Sequence, residues 1–69
     1  MHRTPVSSSN IRSVGYDIDS SVLEVEFNGG EVYQYYGVPH YLFEQFMAAS
    51  SLGSFLYEHI RPSYRYQKQ

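Results

Sequence analysis

The segment Leu23–Tyr35 constrains this chain more than any other stretch. Leu23, Val25 and Phe27 alternate with Glu24 and Glu26, the period-2 pattern of a strand with one buried and one wet face. Tyr33 and Tyr35 flank Gln34 in the same way. Between the two runs, Asn28-Gly29-Gly30 is a turn cluster, because glycine reaches positive φ without steric cost and asparagine tolerates it. The turn length decides the register. A two-residue Asn28-Gly29 turn would set Glu26 opposite Glu31, and like charges directly across a ladder are destabilising. A two-residue Gly29-Gly30 turn would bury Gln34 beside Val25. A three-residue turn with one glycine in the left-handed region pairs Val25 with Tyr33 and Leu23 with Tyr35, and sends Glu24 and Gln34 to water. The reading adopted is therefore the three-residue turn, with Tyr33 and Tyr35 as core residues first.

A chain of 69 residues is one domain that buries only about 60% of its unfolded surface and nets about 3–5 kcal/mol from its core. It has no cysteine, so neither disulfides nor thiolate metal sites are available. Eight tyrosines and four phenylalanines supply the apolar area, since each ring buries about 150–250 Å². The tyrosine hydroxyls require a thin core with half-exposed rings, which makes self-association or a protein partner an open alternative. No run is long and apolar enough for a signal peptide or a membrane span, and a cytoplasmic location is the expectation.

Around the hairpin, Met1–Ser9 reads as a polar, flexible lead-in. Ile11–Asp17 is the first strand, with Arg12, Val14 and Tyr16 sharing one parity. Gly15 inside it marks a bulge or the close approach of another backbone. Asp17, Asp19 and Ser21 have the opening spacing of a calcium loop, but Val22 stands where such a loop needs glycine and Asn28 where it needs glutamate, so the segment is a plain turn. Pro39 suits a helix start, and Leu42, Phe43, Phe46, Met47 and Ala49 mark one face of a helix over about 40–49. Ser51 is the N-cap of a second helix, Leu52–Ile60, with Phe55, Leu56, His59 and Ile60 as its apolar stripe. Pro62 ends it. The alternation in Tyr64–Lys68 leaves open a short C-terminal edge strand. The expected fold is α+β: an antiparallel meander of three strands, with room for a fourth, packed on two helices in the order β-β-β-α-α(-β).

The spaced residues Ser8-Ser9, Ile11, Val14-Gly15-Tyr16-Asp17, Leu23, Val25, Phe27, Gly30, Tyr33, Tyr35, Val38-Pro39, Ala49, Ser51, Gly53, Phe55, Ile60-Arg61 and Tyr64 closely resemble the KTSC domain. That family is named for a C-terminal domain of some lysyl-tRNA synthetases and also occurs as small stand-alone proteins. The match runs from about Ser7 to Tyr66. The resemblance implies a small α+β domain with a role in RNA metabolism. The chain departs from the family in having Leu56 and Tyr57 where phenylalanine and asparagine are usual.

Chemistry is sparse. His2, His40 and His59 are not spaced for a shared metal, and no serine has a nucleophile-elbow setting. Neither a catalytic centre, a metal nor a cofactor is expected. Net charge is −2, unlike a strongly basic nucleic-acid-binding domain, yet Arg61, Arg65 and Lys68 gather at the C-terminal end with no acid beyond Glu58. Bases interleaved with tyrosines suit single-stranded RNA, which stacks bases on aromatic rings and leaves phosphates to cations. The candidate RNA-binding residues are Arg12, Arg61, Tyr64, Arg65, Tyr66 and Lys68. Ser51, Gly53 and Ser54 join them as a helix start that could meet a phosphate or simply cap the helix. Arg61 is left with two roles: an ion pair with an acid such as Asp17, or a ligand contact beside Arg65 and Lys68. The leading reading is a non-enzymatic RNA-binding or RNA-associated module, and the alternative is a protein-interaction or self-association module.

Overall fold

A computed structural model describes residues Met1–Gln69. Strands β1 (Thr4–Pro5), β2 (Ile11–Asp17), β3 (Val22–Phe27), β4 (Val32–Tyr36) and β5 (Arg65–Lys68) form one antiparallel sheet in chain order. Helix α1 (His40–Met47) and the short α2 (Leu52–Phe55) follow β4, and α2 runs on into a wider π-type turn over Leu56–Ile60.

The β3–β4 register is the one argued from charge: Val25 pairs with Tyr33 and Leu23 with Tyr35. Gly30 takes φ 95°, while the Phe27 N–H donates to the Glu31 carbonyl and the Gly30 N–H to the Phe27 carbonyl. These are the bonds of a three-residue turn with a left-handed glycine. Leu23, Val25 and Tyr35 are buried with Ile11, Val14, Val38, Phe46, Leu56 and Ile60 as one core beneath the helices. Tyr16 stacks on Phe43 at 4.5 Å and donates from its hydroxyl to the Val38 carbonyl at 2.6 Å. The sheet and α1 are thereby joined by aromatic packing as well as burial. Ser51 caps α2, its hydroxyl oxygen accepting the Ser54 N–H at 3.3 Å.

The sheet is wider than the meander of three strands with one optional addition. It has five strands because both chain ends pair with it. The C-terminal alternation becomes β5, which sets Tyr66 beside Tyr35 and Lys68 beside Tyr33. The lead-in, expected to be flexible, pairs through Thr4 with Val14 and through Pro5 with Ser13. Its anchor is Arg3, which binds the Glu24 carboxylate at 2.5 Å and the Ser13 hydroxyl at 3.1 Å. Gly15 explains the fit: a Cβ there would stand 2.6 Å from the His2 carbonyl oxygen, so the close-approach reading holds at this glycine. A bulge also exists, but at Arg12, where Ile11 pairs with Phe27 and Ser13 with Glu26. The extra residue puts Ile11 in the core and turns Arg12 outward, against the parity expected of it.

Glu24 corrects a second expectation. Instead of facing water it is 8% exposed, covered by Arg3 and by Gln34, which donates to it at 2.8 Å. Burial alone would raise its pKa, but the hydrogen bonds from Gln34 and Arg3, with the Arg3 charge, hold the carboxyl below its usual range. The face of the sheet away from the helices is thus a cross-strand polar network, with Ser13 bonding Glu26 at 2.8 Å.

Two outcomes follow from the way β1 is held. Arg3→Met strands the Glu24 carboxylate and should lower stability by about 1–3 kcal/mol in urea unfolding. Because the folded-state pKa of Glu24 is lowered, its contribution is present above the ordinary carboxylate pKa and lost as pH falls, so Arg3→Met should also flatten stability loss between neutral and acid pH. Gly15→Ala should release the amides of β1 and its partner edge to faster hydrogen exchange while β3 and β4 stay protected.

Candidate functional site

The helices do not cover the whole inner face of the sheet. At the hairpin end they leave an open cleft of about 580 Å³, floored by Phe27, Tyr33 and Tyr35 and walled by Tyr57 and Arg61 on one side. Asn10, Asn28 and Glu31 line it from the hairpin side, and Lys68 from β5. The volume is within the range of small-ligand sites, about 300–1,000 Å³.

The π-type turn places the helical wall. Its closing bond runs from the Arg61 N–H to the Leu56 carbonyl at 2.8 Å. Leu56 and Ile60 enter the core, which leaves Tyr57 and Arg61, four residues apart, together on the cleft side. The Arg61 guanidinium carbon lies 5.4 Å from the Tyr57 ring centroid and 5.5 Å from that of Tyr66, within cation–π range of both. It also donates to the Tyr66 hydroxyl at 3.4 Å, and that bond pushes the Arg61 pKa up. Tyr66 in turn packs on Tyr35 at 5.5 Å and Tyr33 at 5.9 Å. Burial, partly offset by the Arg61 charge, pushes the Tyr35 phenol up to about 12. Neither Arg61 nor Lys68 nor Glu31 takes part in an ion pair.

Backbone bonds fix the hairpin wall. The Asn28 N–H donates to the Asn10 carbonyl at 2.9 Å and the Asn28 side chain to the Ser9 carbonyl at 2.7 Å. Asn10 lies against Gly53, where a Cβ would stand 2.9 Å from its amide nitrogen. Gly53 therefore acts through Asn10.

The structure sorts the sequence candidates. Arg61 and Lys68 both line the cleft, and Tyr66 packs against Arg61 and the cleft floor. Arg65 does not, since it pairs with Tyr36 on the opposite parity of β5 and so faces the other side of the sheet. Arg12 is occupied by the Asn28 carbonyl at 3.0 Å and by Glu26 at 3.8 Å. Ser51 accepts the Ser54 N–H at 3.3 Å, the capping role, and its hydroxyl donates to that of Ser54 at 3.1 Å, while Tyr64 packs half-buried against the core. The alternative of an Arg61–Asp17 ion pair is not realised. Asn10, Asn28, Glu31 and Tyr57 are cleft residues that the sequence reading did not select. For Tyr57 the signal was its spacing from Arg61 on one helix face; for the others only the closed hairpin brings them to the site. No helix is long and apolar enough to cross a membrane.

The KTSC domain model matches residues 7–64 of the chain. The chain belongs to the KTSC domain family. A solved KTSC domain protein from Yersinia pestis superposes on this domain with a TM-score of 0.91 at 43% identity, covering 99% of this chain and 96% of that one. An uncharacterized protein of Stutzerimonas stutzeri is 40% identical over 67 residues, spanning 96% of this KTSC domain chain and 94% of the relative. A protein from Tsukamurella paurometabola is 41% identical over 61 residues, 88% of this chain and 91% of its own.

The cleft floor makes a pH prediction. The folded-state pKa of Tyr35 is raised above the ordinary 10.0, so its contribution to stability is complete below that value and is lost as pH rises from about 10 toward about 12. Phenolate absorbance should show the Tyr35 transition displaced above the ordinary 10.0, and Tyr35→Phe should reduce the alkaline loss of stability. Arg61→Ala should move the Tyr35 transition still higher.

Proposed function

We propose that this KTSC domain is a non-enzymatic module that binds single-stranded RNA in the cleft between the hairpin end and the π-type turn. The observation that carries the reading is the Arg61 guanidinium over the rings of Tyr57 and Tyr66, with Lys68 and Tyr33 lining the same cleft and neither cation holding an acidic partner. Cations next to ring faces suit a ligand of alternating phosphates and flat bases, with base–aromatic stacking contributing about 1–3 kcal/mol per base. The family's association with lysyl-tRNA synthetases adds support from a separate direction. With a net charge of −2, binding rests on local fields, and few phosphates are neutralised.

A second reading has its own observation. Ile18 is 61% and Tyr41 64% exposed, and a groove between β2 and α1 is lined by Val14, Tyr16, Phe43 and Met47. That surface suits a protein partner or a second copy of the chain.

Amide NMR titration with a short single-stranded RNA separates the two. RNA binding predicts shifts at Tyr57, Arg61, Tyr66 and Lys68 that weaken as salt rises, with a shallow slope reflecting about two phosphate contacts. Arg61→Ala should cut the affinity about tenfold or more, while Arg65→Ala, on the other face, should have a small effect. Absence of shifts at low salt overturns the RNA reading. A rotational correlation time near twice the monomer value favours self-association.

A further inference from the structure

Tyr35 is only 2% exposed, yet it lines the cleft. Its hydroxyl has no partner in the protein. The hydroxyls of Tyr16, Tyr36 and Tyr66 are hydrogen-bonded to other residues, and that of Tyr35 is not. Every side-chain nitrogen or oxygen that is fully enclosed does have a partner, so the Tyr35 hydroxyl is not sealed in. The little surface this residue keeps therefore includes its polar tip, at the floor of the cleft. A largely covered polar group without a partner costs free energy, and native proteins hold few of them.

The surroundings of that hydroxyl suit an oxyanion. After burial, the Arg61 charge is the strongest influence on the Tyr35 phenol, and the phenols of Tyr57, Tyr33 and Tyr66 act on it as well. Tyr66, Tyr57 and Tyr35 act in turn on Arg61, so the guanidinium and these hydroxyls form one cluster. Arg61 gives an N–H to the Tyr66 hydroxyl and makes no ion pair, which leaves the rest of its fork of donors for a ligand. Burial keeps the Tyr35 phenol protonated at neutral pH, hence a donor. The Glu31 carboxylate also lines the cleft, but it is not among the charges that act chiefly on Tyr35 or Arg61. A guanidinium takes two oxygens of a phosphate side by side, and a hydroxyl near it can meet a third.

The burial of Tyr35 decides which phosphate. An oxygen that bonds its hydroxyl must descend to a residue that is almost wholly covered. An internal phosphodiester carries a sugar on each side, and both would have to follow it down. A terminal phosphate has one ester arm and three free oxygens, and enters end-on. It also carries up to two negative charges, so a domain of net charge −2 gains more attraction from one such contact than from a diester. We infer that the Tyr35 hydroxyl and the Arg61 guanidinium hold the terminal phosphate of the RNA strand, so that the cleft reads a phosphorylated end in preference to the middle of a chain. This inference rests on the single-stranded RNA reading above and adds to it the part of the strand that is recognised.

The test uses three uridine trimers that differ only at their ends: one with a 5′-phosphate, one with a 3′-phosphate and one with hydroxyls at both. They are titrated into the intact wild-type chain, Tyr35→Phe and Arg61→Lys, with each variant's fold checked by its amide spectrum. The expected result is that one phosphorylated trimer binds wild type about tenfold tighter than the trimer with hydroxyl ends, and which one does so identifies the end. Tyr35→Phe keeps the ring and removes the hydroxyl, so it should reduce that preference severalfold and leave the affinity for the trimer with hydroxyl ends unchanged. A merely structural role for Tyr35 would not produce that selective loss. Arg61→Lys keeps the charge without the fork and should reduce the preference too. No histidine lines the cleft, so the preference should grow as pH rises through about 6, where a phosphate monoester gains its second charge. Equal binding of all three trimers by wild type overturns the end-reading inference and leaves the RNA reading standing. A preference that survives both substitutions overturns the roles of Tyr35 and Arg61. No binding of any trimer at low salt overturns the RNA reading and the inference together.

Discussion

The pairing of β3 with β4 governs most of what this molecule can present. The three-residue turn keeps Glu26 away from Glu31 and pairs Glu26 with Val32 instead, and Gly30 supplies the positive φ the turn requires. A one-residue slip would exchange the two faces of β4. Gln34 would then enter the apolar layer, and the Tyr33 and Tyr35 rings would leave it. Because β5 is laid on β4, the same register sets Tyr66 against Tyr35 and Lys68 against Tyr33. The aromatic floor of the cleft and one of its cations both descend from the charge argument at the turn.

The two faces of the sheet then take different work. The face away from the helices is crossed by a polar network centred on Glu24, with Arg3 and Gln34 satisfying a carboxylate that burial alone would protonate more readily. It is a fastening for β1 and offers no stack of rings to a ligand. The inner face is the apolar one, but the helices after β4 are short. They cover the layer around Leu23, Val25 and Val38 and leave the hairpin end open. Tyrosine suits that boundary, since its ring can pack while its hydroxyl stays near water.

The basic C-terminal segment shows how a strand divides a charge cluster. Arg65 and Lys68 have opposite parities in β5, so pairing with β4 sends them to different faces. Arg61 comes from another element altogether, and the π-type turn sets it over Tyr57 while Tyr66 arrives from the strand. A cluster that looks single in the chain becomes two cations at the cleft and one beyond the sheet. The π-type turn carries the one cation that lies over rings, Arg61, in keeping with the frequent occurrence of such turns at functional sites.

Interactions between near neighbours were legible from the residues. Alternation in Leu23–Phe27, repulsion between Glu26 and Glu31, the glycine turn, the Ser51 cap and the apolar face around Phe46 all depend on local geometry, and together they determined the α+β class, the hairpin register and Tyr35 as a core residue. Two features escaped that reading because their causes lie far apart in the chain. Arg3 is a polar residue in a polar lead-in until Glu24, twenty-one positions away, comes within reach and makes a strand of its neighbours. Glu31 and Asn10 are ordinary turn and loop residues until the closed hairpin and, for Asn10, the close approach of Gly53 bring them to the cleft that Arg61 also lines. The sequence by itself determined the sheet's inner layer and the chemistry available for a site. Only the tertiary structure decided which cations, rings and acid share a cleft, because that depends on where the helical layer stops and on the parity with which the last strand joins the sheet.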